Sequence, residues 1–111
     1  MDINTNKTEY RSITVQQAKQ LMCSLSCYTV VMDVRREDEY NLGHIKGAIN
    51  IPLGQLEERE TLLMTDFSQE IIVYCRTGSR SIEAANILLS MGYKNIYDMG
   101  SLNNWCWELE R

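Results

Sequence analysis

The 111 residues include one proline, one histidine and no long apolar run. Without an uninterrupted apolar stretch of about 20 residues, no membrane-spanning helix is expected. Met1 to Tyr10 is polar, so no secretory signal is expected there, and residues 1–10 read as a tail. Positive charge is also scarce. Eleven Lys and Arg stand against 15 Asp and Glu, for a formal net charge of −4, which argues against general attraction to nucleic acid. Four cysteines occur, Cys23, Cys27, Cys75 and Cys106, but no second ligand pair accompanies them for zinc. No metal and no cofactor are expected. The default setting is a reducing cytoplasm with free thiols. Cys23 and Cys27 read as ordinary buried thiols. There is no internal repeat and no long linker, and the length suits one domain over residues 11–111.

What is present concentrates at Cys75. This residue ends the apolar run Ile71-Ile72-Val73-Tyr74 and opens Cys75-Arg76-Thr77-Gly78-Ser79-Arg80, after which a helical pattern begins. A thiol between a buried strand and a helix N-terminus occupies a thiolate-stabilising position. The loop can aim several backbone N–H groups at a sulfur or an anion. Gly78 permits backbone angles that a Cβ would resist, and Ser79 could cap the helix. Arg76 and Arg80 add permanent positive charge to an otherwise acidic chain. A helix terminus alone supplies about 1 kcal/mol toward a thiolate, and the amide cradle and the arginines are expected to add to it.

Elsewhere the chain alternates. Val15 to Met22 has helical spacing behind Thr14 as a cap. Thr29 to Val34 reads as a buried strand, and Arg36 to Leu42 as a short charged helix ending at Gly43. Ala48 to Ile51 suggests a short strand. Pro52 would open a helix running to about Arg59, with Glu57-Glu58-Arg59-Glu60 as its solvated end. Ile71 to Tyr74 is a second buried strand. In the helix Ser79 to Met91, Ile82, Ala85, Leu88 and Leu89 share one face, and Gly92 closes it. Asn95 to Tyr97 is a third strand, and Leu102 to Leu109 a final helix packing Trp105 and Trp107 into the core. This alternation implies an α/β fold with a mostly parallel sheet of about five short strands and helices on both faces. Ligands of such sheets bind beyond the carboxyl ends of the strands, where Cys75 falls. Asp33 and Arg35 end a strand on the same side. They read as a structural ion pair, with Arg35 a supporting contributor of positive field.

With these motifs located, the chain resembles the single-domain rhodanese family of sulfurtransferases. The resemblance rests on Asp33-Val34-Arg35, Glu39-Tyr40, Gly43-His44-Ile45 and Gly47-Ala48-Ile49-Asn50-Ile51-Pro52. It continues through Tyr74-Cys75-Arg76-Thr77-Gly78-Ser79-Arg80-Ser81, then Gly92-Tyr93, Gly100 and Trp105. It implies that Cys75 is the catalytic nucleophile. It would take the sulfane sulfur of a small anionic donor such as thiosulfate, form a persulfide, and pass the sulfur to cyanide, a thiol or a protein acceptor. Arg76, Thr77, Gly78, Ser79 and Arg80 are the implied substrate-binding residues, with Asp33 and Arg35 in support. Such chemistry needs no general base, so a structural role is expected for His44. Related phosphatases and arsenate reductases have a loop one residue longer. The four residues between Cys75 and Arg80 match the sulfur-binding form. Arg76, where mercaptopyruvate-type relatives have glycine, favours an inorganic dianion. One departure stands out: the family's glycine pair before the last helix reads Gly100-Ser101 here. A persulfide carrier for a partner protein and, less favoured, a phosphatase or arsenate reductase are the alternative activities. A non-catalytic scaffold is opposed by the intact cysteine.

Overall fold

The computed structural model describes residues 9–23, 29–58 and 66–111. Among the described residues, seven strands and three α-helices follow in chain order: β1 Arg11–Ser12, α1 Val15–Met22, β2 Thr29–Asp33, α2 Glu37–Leu42, β3 His44–Ile45, β4 Ile49–Asn50, β5 Glu70–Cys75, α3 Ser79–Ser90, β6 Asn95–Ser101 and β7 Leu109–Glu110. Five strands form one parallel sheet in the order β1-β6-β5-β2-β4. The chain leaves β2 toward β4 and leaves β5 toward β6. The carboxyl ends of β2 and β5 therefore flank the point where the strand order reverses, which is where open α/β sheets hold ligands.

Side chains alternate across β5. Ile71, Val73 and Cys75 join the core under α3, and Ile72 and Tyr74 join the core that includes Val15 and Ala18 of α1. This period of two places Cys75 on the α3 side of the sheet. Thr14 caps α1 as expected: its Oγ1 accepts the Gln17 N–H at 3.0 Å, and Gln17 Oε1 accepts the Thr14 N–H at 2.9 Å.

Several expectations are corrected. The buried face of α3 is Ser81, Ala84, Ala85 and Leu88, while Ile82 is 45% exposed. The stripe follows helical spacing through a serine, so choosing residues by hydrophobicity selected the wrong start. Pro52 opens only a 3-10 turn, Leu53–Gln55, and residues 59–65 lie outside the described residues. The third strand runs on to Ser101. Leu102 to Leu109 is not a helix: a 3-10 turn, Leu102–Asn104, gives way to extended chain. There β7 pairs antiparallel with β3, matching His44 to Glu110 and Ile45 to Leu109. Trp105 packs partly buried against the α1 side, whereas Trp107 is exposed. Cys23 is exposed rather than buried, because it sits at the C-cap of α1, and Cys27 lies outside the described residues.

The switch point is tied by one carboxylate. Asp33 is fully buried. It accepts from Arg35 Nε at 3.0 Å, Arg35 Nη2 at 2.7 Å, the Arg35 backbone N–H at 2.9 Å and the Tyr74 hydroxyl at 2.7 Å. The Tyr74 oxygen also accepts the Ile45 N–H, and Arg35 Nη2 also donates to the Gly43 carbonyl. Burial, then the nearby Asp33 carboxylate, raises the Tyr74 phenol well above its ordinary value, so it remains a donor. Asn50 Nδ2 donates to the Asp33 and Arg35 carbonyls, fastening β4 to the same end. Asp33→Ala strands a buried guanidinium and should cost about 3–5 kcal/mol. Tyr74→Phe leaves the ion pair intact and should cost about 1 kcal/mol. Urea denaturation of both variants checks this; equal losses would contradict the central place of the ion pair.

Candidate active site

The Cys75 loop is built by the strand-to-helix change. The alternation of β5 sends Cys75 beneath the loop, and Gly78 turns the chain into α3 at φ 104°. That left-handed angle suits glycine, the N-cap here. Ser79 is therefore the first residue of α3 rather than its cap. The turn aims two amides at the sulfur: Cys75 Sγ accepts the Gly78 N–H at 2.9 Å and the Ser81 N–H at 3.3 Å. Ser81 Oγ donates back to the Gly78 carbonyl at 3.1 Å, which holds the turn closed. Free N–H groups at a helix start stabilise negative charge on such a sulfur. Cys75 is fully buried, while Arg76, Thr77 and Ser79 above it are exposed.

The two loop arginines have different fates. Arg76 is exposed, and its guanidinium pairs with no carboxylate among the described residues. It lines a cleft of about 330 Å³ together with Arg35, Glu39, Gly43, Asn103 and leucines 42, 102 and 109. Arg80 is bound to Glu39, with Nη1 donating to Oε1 at 2.9 Å and Nη2 to Oε2 at 3.3 Å. A negative charge on Cys75 still lies within electrostatic reach of Arg80. Glu39 also accepts the Arg36 N–H, so one carboxylate caps α2 and aims Arg80. Arg80 chiefly, and then the Arg36 amide, overcome burial and hold the Glu39 carboxyl at about 2, against an ordinary 4.5.

The supporting pair Asp33 and Arg35 lies at the neighbouring strand end. Arg35 reaches the cleft wall, but its Nε and Nη2 are spent on Asp33 and Gly43. His44 stacks on Tyr40 at 3.7 Å, its Nδ1 bonds to the Tyr40 carbonyl, and its Nε2 lies 3.5 Å from Glu110. These partners hold the ring between α2 and β7. Sequence reasoning assigns no role to Glu39, Tyr74 and Ser81, although all three stand in the motifs that carry the resemblance. Glu39 stood in a visible capping position, three residues after Arg36; Ser81 stood at helical spacing from Ala84, Ala85 and Leu88. Tyr74 carried no such signal.

Among the described residues no group of three or more His, Cys, Asp or Glu could hold a metal ion, and no helix is long and apolar enough to cross a membrane. The arrangement is a parallel α/β domain with a cysteine cradled by amides at its switch point. Comparison places it further. Residues 14–108 match the family of the rhodanese-like domain, and the chain belongs to the rhodanese family. It is 39% identical to the putative mitochondrial thiosulfate sulfurtransferase of Schizosaccharomyces pombe, across 69% of this chain and 63% of that protein. It is 38% identical to the thiosulfate sulfurtransferase PspE of Escherichia coli, across 66% of this chain and 70% of that one. A solved Escherichia coli rhodanese with anions superposes with a TM-score of 0.68 at 34% identity, across 75% of this chain and 98% of that one.

The Glu39–Arg80 pair gives a pH signature. A carboxyl held low contributes stability that is complete above its unfolded value, near 4.5, and is lost as pH falls toward 2. Glu39→Gln should lower stability at neutral pH by about 1 kcal/mol, the pair being partly exposed. It should also flatten the decline between pH 4.5 and 2. Urea midpoints across that range check this; parallel pH profiles for the two proteins would contradict it.

Proposed function

We propose that this chain is a thiosulfate sulfurtransferase that works through a persulfide on Cys75. The observation that carries the reading is the Sγ of Cys75 at a parallel-strand end, receiving the N–H groups of Gly78 and Ser81. A thiolate held in this way attacks the outer sulfur of thiosulfate. An Sγ–S bond forms, the S–S bond of the donor breaks, and sulfite departs with the electron pair. An acceptor nucleophile then bonds to the outer sulfur, and Sγ leaves as thiolate. No proton has to move in either step once the acceptor is ionised. The contacts that hold His44 between α2 and β7 fit this economy.

The role of each residue follows from its place. Gly78 and Ser81 amides hold charge on the sulfur. Arg76, exposed at the cleft beside the loop, draws in the dianionic donor. Thr77 and Ser79 contribute backbone N–H groups, and Arg80, steadied by Glu39, adds positive field. The short loop and the thiosulfate sulfurtransferases among the relatives favour sulfur over phosphate. The cleft is wider than thiosulfate requires and leaves room for cyanide, a thiol or an exposed segment of a protein acceptor. The exposed free thiols of Cys23 and Cys106 fit a reducing, cytoplasmic setting.

Cys75→Ala should abolish thiocyanate formation from thiosulfate and cyanide while the circular dichroism spectrum is unchanged. Arg76→Ala should retain the maximal rate and raise the half-saturating thiosulfate concentration about fivefold, as expected for one lost charge-assisted contact. Activity persisting in the Cys75 variant would end the proposal.

A further inference from the structure

Where the rhodanese resemblance expects a second glycine, this chain has Ser101, and its hydroxyl is engaged on the Cys75 loop. A bulge brings it there. The register between β5 and β6 runs Val73 to Asp98 and then Tyr74 to Gly100, so Met99 is an extra residue on β6. Asp98 Oδ1 accepts the Gly100 N–H at 2.8 Å, and Gly100 adopts φ 84°, an angle that favours glycine. Past this bend Ser101 lies directly opposite Cys75. Its Oγ donates to the Arg76 carbonyl at 2.6 Å and accepts the Asn103 N–H at 3.0 Å. The single hydroxyl proton goes to the loop and a lone pair goes to the turn, so both bonds coexist without competition. Arg76 and Asn103 line the same cleft, and Ser101 bonds to the backbone of both.

We infer that Ser101 is a positioning residue that fixes the orientation of the Arg76–Thr77 peptide and thereby makes the Thr77 N–H a donor to the anion held over Cys75. This role rests on the reading of the Cys75 loop as an anion site. In a trans peptide the C=O and N–H point in opposite directions. With the Arg76 carbonyl drawn onto Ser101, the Thr77 N–H points away from β6. A rotated peptide would instead turn a carbonyl oxygen toward the site and repel an anion. The hydroxyl removes that alternative before substrate arrives, which is preorganisation of a dipole. A glycine at this position has no side chain with which to do so. Arg76 gains as well, since its backbone is pinned at the cleft where its exposed guanidinium meets the donor.

The test is a titration of the full chain, labelled with nitrogen-15, with inorganic sulfite, following the backbone amides of Thr77, Gly78 and Ser81. In the wild type, sulfite should move the Thr77 amide together with the Gly78 amide. Ser101→Ala and Ser101→Gly should weaken sulfite binding about tenfold and lose most of the Thr77 response. Ser101→Thr, which keeps the hydroxyl, should restore both. A merely structural role would not silence Thr77 selectively in a folded variant. Wild-type binding of sulfite that leaves Thr77 unmoved, absence of sulfite binding, or hydroxyl-free variants that titrate like wild type would each overturn the inference. The wild-type spectrum decides the Thr77 claim even if a variant fails to fold. Sulfite binding without sulfur transfer would contradict the proposed function and leave the role of Ser101 standing.

Discussion

The fully buried carboxylate of Asp33 is the constraint on which the rest of the structure depends. It stands where the strand order reverses and accepts from Arg35 and from the Tyr74 hydroxyl. A buried charge survives only with its partners in place, so β2, the residues that follow it, and β5 must meet in one register. The second bonds of the partners spread the constraint, Arg35 to the Gly43 carbonyl after α2 and Tyr74 to the Ile45 amide of β3. Cys75 follows Tyr74 directly. Fixing the tyrosine on one face of β5 therefore fixes the cysteine on the other.

Around this frame the reactive side is built mostly from backbone. The sulfur is met by the amides of Gly78 and Ser81. The side chains nearest the loop act on it indirectly: Glu39 orients Arg80, Ser81 closes the turn onto Gly78, and Ser101 holds the Arg76 carbonyl. Backbone dipoles fixed before substrate arrives need no reorganisation during reaction, which suits the proposed transfer, in which charge moves and protons do not. The exposed Arg76 stands at the cleft with its guanidinium uncommitted to a carboxylate among the described residues, as the proposed attraction of an anionic donor requires.

Much of this was legible in the sequence because it is locally encoded. The apolar run before Cys75, the glycine three residues later and the helical spacing beyond place a thiol at a strand-to-helix turn. The β-branched run at Thr29 to Val31 and the cap at Thr14 are equally local. What stayed hidden is decided by distant partners. Arg80 and Glu39 are 41 residues apart, as are Tyr74 and Asp33, and no spacing rule announces such pairs. The end of the chain was misjudged for the same reason. Leu109 and Glu110 are extended because β3 is there to pair with them. The start of α3 at Ser79 is legible, but hydrophobicity begins its buried face at Ile82, whereas the site needs a small buried residue at Ser81, whose amide reaches the sulfur. Ser101 was visible as a departure from the family pattern, but its purpose depended on a bulge at Met99 that local patterning does not reveal.

The most direct test of the account is intact-mass spectrometry after incubation with thiosulfate, followed by cyanide, on the wild type and on Cys75→Ala. The account predicts a gain of one sulfur atom on the wild type alone, located at Cys75 and removed by cyanide. No gain on the wild type, or an equal gain on the Cys75→Ala variant, would contradict it.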